Sequence, residues 1–382
     1  MKTIEGSKAV CDAVVNCEPE VVACYPITPS THIAEDLNKA YMDGKLKTYV
    51  AVESEFAAIS TIVGGSAAGS RVFSTTSSQG LALMHEIIFA SAGMRVPLVM
   101  VVANRSLSAP LNIWNDHQDS ISERDAGWVQ LYCETNQEAT DTIPLAFRIA
   151  EELMIPVMVC MDGFYLTHAV EQLTVPEKEI IQKFLPPFNP EIKLDPKNPM
   201  TMGVYAKPDN YQEFRNSLDS DMFKAIETIE KRSKEWGKLI SREYGNGIIE
   251  EYQTDDAERV LIALSSVCGN IKEAVDELRR KGEKVGLLRI KCFRPFPYKE
   301  IKKVLQGKKH VGVIEKAMSA GAYPPMYVDI VSAMYGETIP ISYFIGGLGG
   351  RDITVEHCKE LFEKLKEKPV KKWILENSNS KE

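Results

Sequence analysis

What the chain lacks narrows its chemistry first. None of the eight cysteines, Cys11, Cys17, Cys24, Cys133, Cys160, Cys268, Cys292 and Cys358, forms a C-x-x-C pair or a cluster with zinc or iron–sulfur spacing, so no metal cluster is expected in this chain. Any electrons it handles then pass through another subunit. Several of these cysteines lie inside apolar runs, as buried free thiols do in a reducing compartment. The longest apolar runs, such as Pro97–Ala103 and Ile155–Met161, are strand-sized and far too short to span a bilayer. Charged residues (Lys2, Glu5, Lys8) stand where a signal peptide would carry its apolar core, and a cytoplasmic protein is expected. Strong positive charge is also missing: the net charge is −8 and the lysines are dispersed outside Lys364–Lys372, which argues against nucleic-acid and membrane partners. Gly64–Gly69 and Gly347–Gly350 match neither a Walker A loop nor the full setting of a dinucleotide fingerprint, and are assigned to turns and close packing.

What is present reads as α/β. With 382 residues, 44% apolar and 26% charged, the chain has room for two or three packed domains. Residues 1–170 alternate near-continuous apolar strands (Val21–Tyr25, Thr48–Val52, Arg71–Thr75, Leu98–Ala103, Val129–Glu134, Pro156–Met161) with helices (Gly6–Val15, Pro29–Tyr41, Glu55–Ala67, Gln79–Gly93, Gln137–Met154). That alternation implies a parallel sheet covered on both faces. Residues 171–256 form a proline-rich connector followed by a long charged helix, Tyr211–Tyr244, with a sparse apolar stripe. Residues 257–382 form a second α/β unit with strands Val260–Ser265, Lys284–Ile290, His310–Ile314 and Ile339–Ile345; the polar end, Asn377–Glu382, is expected to fray.

Four stretches of the first unit fall where a strand hands over to a helix or loop, the edge at which open α/β sheets bind ligands. In Tyr25-Pro26-Ile27-Thr28-Pro29-Ser30-Thr31, Thr28 is placed as N-cap and Pro29 as first helical residue, which makes either a plain cap or an anion seat. In Val52-Glu53-Ser54-Glu55-Phe56, Glu55 reads as a favourable first-turn acid or as a proton relay in apolar surroundings. Ser74–Gly80 is a run of small hydroxyl residues that can cap a helix or let backbone approach a ring. Arg105, following a strand, can clamp a carboxylate or pair with a surface acid. Asp116, His117 and Asp119 lack a recognised metal-ligand spacing, and His85 is read as a packing histidine.

Taken in order, YPITPST (Tyr25–Thr31), VESEFAA (Val52–Ala58), TTSSQGLALMHE (Thr75–Glu86), NRSLSAPLNIWNDHQDS (Asn104–Ser120) and MDGFYLTH (Met161–His168) resemble the alpha chain of the 2-oxoacid:ferredoxin oxidoreductases, most nearly the pyruvate branch. RPFP (Arg294–Pro297) and GLGGRD (Gly347–Asp352) extend the resemblance to the second unit. The resemblance implies a thiamine-diphosphate-binding fold, with a pyrimidine-type domain over residues 1–170 and a transketolase C-terminal-like domain over 257–382. It implies oxidative cleavage of a 2-oxoacid, with electrons passed to ferredoxin and the acyl group to coenzyme A. In such enzymes the beta chain holds the diphosphate and Mg2+ through a Gly-Asp-Gly segment. Here only Met42-Asp43-Gly44 and Met161-Asp162-Gly163 occur. The [4Fe-4S] clusters are likewise expected in partner subunits of beta, gamma and delta type. Carried over by position, Glu55 looks like the glutamate that meets N1′ of the aminopyrimidine. Pro26, Ser78 and Gln79 are assigned to the same cofactor, Thr28 and Arg105 to the substrate carboxylate, and Leu111 and Ile113 to the pocket around the substrate's methyl group. The alternatives are a 2-oxoisovalerate oxidoreductase, a non-catalytic scaffold subunit, and a cluster-free enzyme of transketolase type.

Overall fold

The computed structural model describes residues 1–366 and 369–374, so the expected fraying of Asn377–Glu382 lies outside the described residues. Two sheets organise the chain. In the first, the spatial order is Cys292–Arg294, Val129–Tyr132, Val157–Asp162, Val99–Asn104, Val72–Thr76, Val21–Cys24 and Tyr49–Ala51. Every pairing is parallel except that of Cys292–Arg294 with Val129–Tyr132. Val99–Asn104 and Val157–Asp162 are buried along their whole length, which is why they read as unbroken apolar runs. The chain leaves Val21–Cys24 for its neighbour Tyr49–Ala51, then returns to Val72–Thr76 on the other side. That reversal is a topological switch point, where the loops after adjacent strands diverge and leave a crevice.

Helices Gly6–Asn16, Thr31–Met42 and Asn136–Leu153 pack together as one group, and Glu55–Ala67, Ser78–Leu83 and His85–Met94 as another. The second sheet runs Lys371–Trp373, Ile341–Ile345, His310–Glu315, Arg259–Ala263, Val285–Ile290 and Ile249–Tyr252, the last antiparallel to its neighbour. The long helix Pro208–Ile240 lies along the first unit. Arg95 holds Asp221 (2.9 Å), Arg232 holds Glu152 (2.7 Å), and the Trp236 indole donates to the Asp141 carbonyl (2.8 Å).

Several boundaries differ from the sequence reading. The helix expected from Pro29 starts at Thr31, and its N-cap is Ser30, not Thr28; residues 28–30 form a turn closed by the Ser30 N–H on the Ile27 carbonyl (2.8 Å). The single helix expected over Gln79–Gly93 is two, Ser78–Leu83 and His85–Met94. The connector contains a strand, Val170–Leu173, paired with Lys2–Glu5, and a helix, Lys178–Phe184. The long helix stops at Ile240, where Ser241 turns left-handed (φ 55°). Periodicity also missed the antiparallel strands Ile249–Tyr252 and Cys292–Arg294, whose pairing is decided by tertiary neighbours rather than by their own pattern.

Candidate active site

The carboxyl ends of four adjacent strands place the expected site residues along one edge. Glu55 opens helix Glu55–Ala67, whose N-cap Ser54 accepts the Ala57 N–H (3.2 Å). Its side chain is only 7% exposed, yet among the described residues it has no hydrogen-bond or ion-pair partner. It lies against the turn after Val72–Thr76: a Cβ at position 80 would stand 2.7 Å from Glu55 Oε1 and 2.4 Å from Thr76 Oγ1, so glycine there is what lets the acid approach. Beside it the buried hydroxyls of Thr75, Thr76 and Ser77 have no partner either. A buried donor or acceptor left unpaired costs about 1–3 kcal/mol. A run of such groups beside an unpartnered acid is therefore a surface prepared for a polar ligand.

Arg105 follows strand Val99–Asn104 and is also 7% exposed. Its Nη1 donates to the Thr28 carbonyl (3.0 Å) and its Nε to the Asn112 carbonyl (3.1 Å). The other buried arginines, Arg71, Arg259 and Arg289, each hold a glutamate; Arg105 forms no ion pair among the described residues. Burial accordingly lowers its pKa, whereas Arg71 and Arg289, buried beside their glutamates, are raised. A guanidinium has five N–H donors, and two are engaged here, so the remainder can meet an anion. Thr28 lies at the surface next to it, and Pro26 is exposed.

The structure thus brings Thr28 and Arg105 into contact and Glu55 against the Ser77–Gly80 turn. Ser78 joins the two places: its hydroxyl donates to the Ser106 carbonyl and also bonds the Gln79 side chain. Leu111 and Ile113 are exposed on the loop that follows Arg105. That loop is braced from the second unit, where the Gly349 N–H donates to Asp116 (3.0 Å) and the Asn112 side chain donates to the Gly349 carbonyl (3.1 Å).

Residues 12–235 match the family described as pyruvate flavodoxin/ferredoxin oxidoreductase, thiamine diphosphate-binding, and residues 257–358 match pyruvate:ferredoxin oxidoreductase core domain II. The chain belongs to this oxidoreductase family. It is 46% identical over 379 residues to pyruvate synthase subunit PorA of Methanothermobacter thermautotrophicus, covering 98% of each chain. It is 39% identical to ketoisovalerate oxidoreductase subunit VorA of Pyrococcus abyssi, over 96% of this chain and 93% of that one. A solved 2-oxoglutarate:ferredoxin oxidoreductase from Magnetococcus marinus, with 2-oxoglutarate, coenzyme A and succinyl-CoA bound, superposes with a TM-score of 0.74 at 19% identity. That match covers 96% of this chain and 65% of the solved one, and at such identity it speaks for the fold alone. The expected thiamine-diphosphate-binding α/β fold is borne out.

Within this oxidoreductase chain, the acids and histidines set aside at the sequence level take separate roles. His117 Nε2 meets Asp162 Oδ1 (2.8 Å), and Lys316 of the second unit reaches Asp162 Oδ2 (3.1 Å). Burial alone would push the Asp162 carboxyl up, but Lys316 and His117 hold it well below the usual carboxylate range. His85, read as a packing histidine, packs edge-on against Phe89 (5.0 Å between ring centroids) while its exposed ring pairs with Glu123 (2.7 Å). Asp119 bonds the backbone of the segments that leave two adjacent strands, at Ser78 and Arg105, whereas the sequence points to it only as a metal-ligand candidate. The available signal was its place in a polar run, NDHQDS, that contains no lysine or arginine.

Proposed function

We propose that this chain is the alpha subunit of a pyruvate:ferredoxin oxidoreductase, acting in the reversible conversion of pyruvate and coenzyme A to acetyl-CoA and CO2 with reduction of ferredoxin. Residues 1–170 serve as its pyrimidine-type domain, 171–256 as connector and long helix, and 257–382 as its transketolase C-terminal-like domain. The observation that carries this reading is Arg105, a buried guanidinium that among the described residues has no counter-ion, sharing one sheet edge with a buried acid that has no partner among them. A pyruvate carboxylate is the kind of anion such a fork takes, with the Thr28 hydroxyl beside it.

The donor set also suits thiamine diphosphate. Glu55 would face a ring nitrogen of the aminopyrimidine, and the unpaired hydroxyls of Thr75, Thr76 and Ser77 line the same turn. Ser78, Gln79 and Pro26 complete this chain's share of the contact. When bound, the cofactor supplies an electron sink for the carbon that loses CO2. Glu55 holds and returns the proton at the ring nitrogen, which is general acid–base work by a positioned carboxyl. Arg105 and Thr28 fix the substrate carboxylate before reaction, so orientation costs little at the barrier. The absence of any Gly-Asp-Gly segment supports a beta subunit as holder of the diphosphate and Mg2+. The unclustered cysteines support placing the [4Fe-4S] clusters in partner subunits as well, with gamma and delta type chains completing a cytoplasmic complex.

A branched 2-oxoacid such as 2-oxoisovalerate presents the same carboxylate, and the VorA relative at 39% identity keeps that reading in view. The two substrates differ by methyl groups, a discrimination worth about 1–3 kcal/mol that pocket shape can supply. Purified native complex assayed with pyruvate, 2-oxoisovalerate and 2-oxoglutarate in the presence of ferredoxin and coenzyme A decides between them. Pyruvate is expected to give the highest kcat/KM; preference for 2-oxoisovalerate would transfer the assignment to the branched-chain enzyme.

A further inference from the structure

We propose that Asp119 is a positioning residue for the substrate carboxylate, one buried side chain that fixes the loop carrying Arg105 to the turn carrying Ser78. This inference rests on the reading of Arg105 as the carboxylate seat. Asp119 is 1% exposed and sits in the short helix Gln118–Ser122. Its Oδ2 accepts the backbone N–H of Ser78 (2.9 Å) and that of Arg105 (3.0 Å). Its Oδ1 accepts the Asn104 side-chain amide (2.9 Å) and the Ser120 N–H (2.8 Å). A single oxygen thus joins the segments that leave two adjacent strands, Val72–Thr76 and Val99–Asn104; the first strand lies between the two whose following loops carry Arg105 and Thr28, which meet.

Two details show that both segments need holding. Ser78 has a positive φ (49°), a left-handed conformation that a non-glycine residue keeps only when its surroundings impose it. The carboxylate on its N–H and the Ser106 carbonyl on its hydroxyl do so. Arg105, for its part, is braced through its side chain only by two carbonyls, so its backbone anchor sets where the guanidinium starts.

The groups facing Asp119 are few. From the loop after Val99–Asn104 comes the Arg105 guanidinium, from strand Val129–Tyr132 the Tyr132 hydroxyl behind the Ser120 hydroxyl (2.7 Å), and from strand Val157–Asp162 the Cys160 thiol. Among the described residues no Lys, Arg or His side chain forms an ion pair with it. Its four bonds come from neutral N–H groups, and burial pushes its pKa up to about 7 against their pull. Four N–H donors suit the ionised form, and a proton on either oxygen displaces one of them. Below neutral pH the anchor loosens, and the KM for pyruvate is expected to rise; pyruvate itself stays ionised throughout that range.

The test uses the assembled complex with Asp119→Asn, and Arg105→Ala as comparator. Asn104 has a buried carbonyl oxygen without a partner, so its amide can turn over and still bond an asparagine at 119, which lets this variant fold. Asp119→Asn is expected to raise the KM for pyruvate about tenfold, leave that for coenzyme A within about twofold, and remove the acid-side rise in pyruvate KM. An equal loss against both substrates, or a pyruvate KM unchanged while Arg105→Ala raises it, would overturn the proposal and leave the carboxylate seat standing. If Arg105→Ala itself leaves the pyruvate KM unchanged, the underlying reading fails instead. Should Asp119→Asn not assemble, Asn104→Ala removes one donor from Oδ1 and is expected to move the acid-side midpoint to higher pH. An unmoved midpoint in that variant counts against Asp119.

Discussion

At the scale of single residues, the informative quantity is what a buried charge is paired with. Arg71, Arg259 and Arg289 are buried with glutamates that offset their desolvation, and removing one partner from such a pair typically costs about 3–5 kcal/mol of stability. Among the described residues Arg105 has no such partner, so Arg105→Ala relieves a desolvation cost and is expected to leave the melting temperature unchanged or raise it. It should nonetheless raise the KM for pyruvate by about 10- to 100-fold, the range of a lost charge-assisted hydrogen bond, with a much smaller effect on coenzyme A. Arg105→Lys should recover only part of the loss, since an ammonium cannot reproduce the fork. Glu55→Gln keeps the shape and removes the exchangeable proton. C2 proton exchange of the bound cofactor is expected to slow by about 100-fold or more, and an unchanged exchange rate would remove Glu55 from that role. Both residues could be nominated from sequence because each lies at a strand's end in a specific motif. Asp119 could not, since its four donors come from segments up to 41 residues away and only the folded chain brings them to one carboxylate.

At the scale of elements, Glu55–Ala67 and Ser78–Leu83 matter because of how closely they meet. Gly80 is the point of contact. Gly80→Ala would put a methyl group 2.7 Å from Glu55 Oε1 and 2.4 Å from Thr76 Oγ1, closer than Cβ atoms approach, so the acid or the turn must shift. A misplacement of about 1 Å costs about 100-fold in rate. The expected result is a fall in kcat that exceeds the rise in pyruvate KM, because Arg105 lies on a different loop and feels the turn only through Asp119 and Ser78; steady-state kinetics of the assembled enzyme separates the two. Helix Glu55–Ala67 was legible from sequence to its last residue, because Ser54 is a good N-cap and the segment is mainly apolar and free of proline. The start of the preceding helix was not. Thr28 and Pro29 carry the composition of a cap, yet the chain makes a turn there and the helix begins two residues later at Thr31. That difference leaves Thr28 at the surface beside Arg105 rather than engaged at a helix end. Strand Cys292–Arg294 escaped sequence reading for another reason: three residues have no measurable period, and its partner, Val129–Tyr132, lies far upstream in the sheet of the first unit.

At the scale of the whole molecule, that strand is the first of several ties between the two units, and a cluster of charged side chains is another. Glu138, from helix Asn136–Leu153 of the first unit, is fully buried between Arg289 and Lys291 of the second; Lys291 Nζ lies 3.0 Å from Glu138 Oε1. Arg289 also reaches Glu250 (2.9 Å), and Lys272 bonds both Glu134 and Glu250 (2.7 Å each). Three acids and three bases thus balance at the junction. Burial opposes the charge on Glu138, but Arg289 and Lys291 overcome it and hold the carboxyl down to about 2. A folded-state pKa below the unfolded value of about 4.3 gives stabilisation that is complete above that value and lost as pH falls toward 2. Glu138→Gln removes the charge while keeping the side chain's size. Arg289 retains Glu250 and Glu134, whereas Lys291 retains the Thr142 hydroxyl (3.4 Å) and the face of the Tyr244 ring (5.0 Å), so among the described residues a buried ammonium is left without a counter-ion. The expected destabilisation is about 3–5 kcal/mol by urea unfolding at pH 7. The gap between variant and wild type should narrow as the pH drops from about 4.3 toward 2, because the wild type then loses the same charge. A gap that stays constant over that range would mean that packing, rather than the ion pairs, makes Glu138 matter at the junction. Because Lys316 ties Asp162 across the same junction and Gly349 braces the Arg105 loop, weakening the charged contacts should also raise the pyruvate KM before it unfolds the chain.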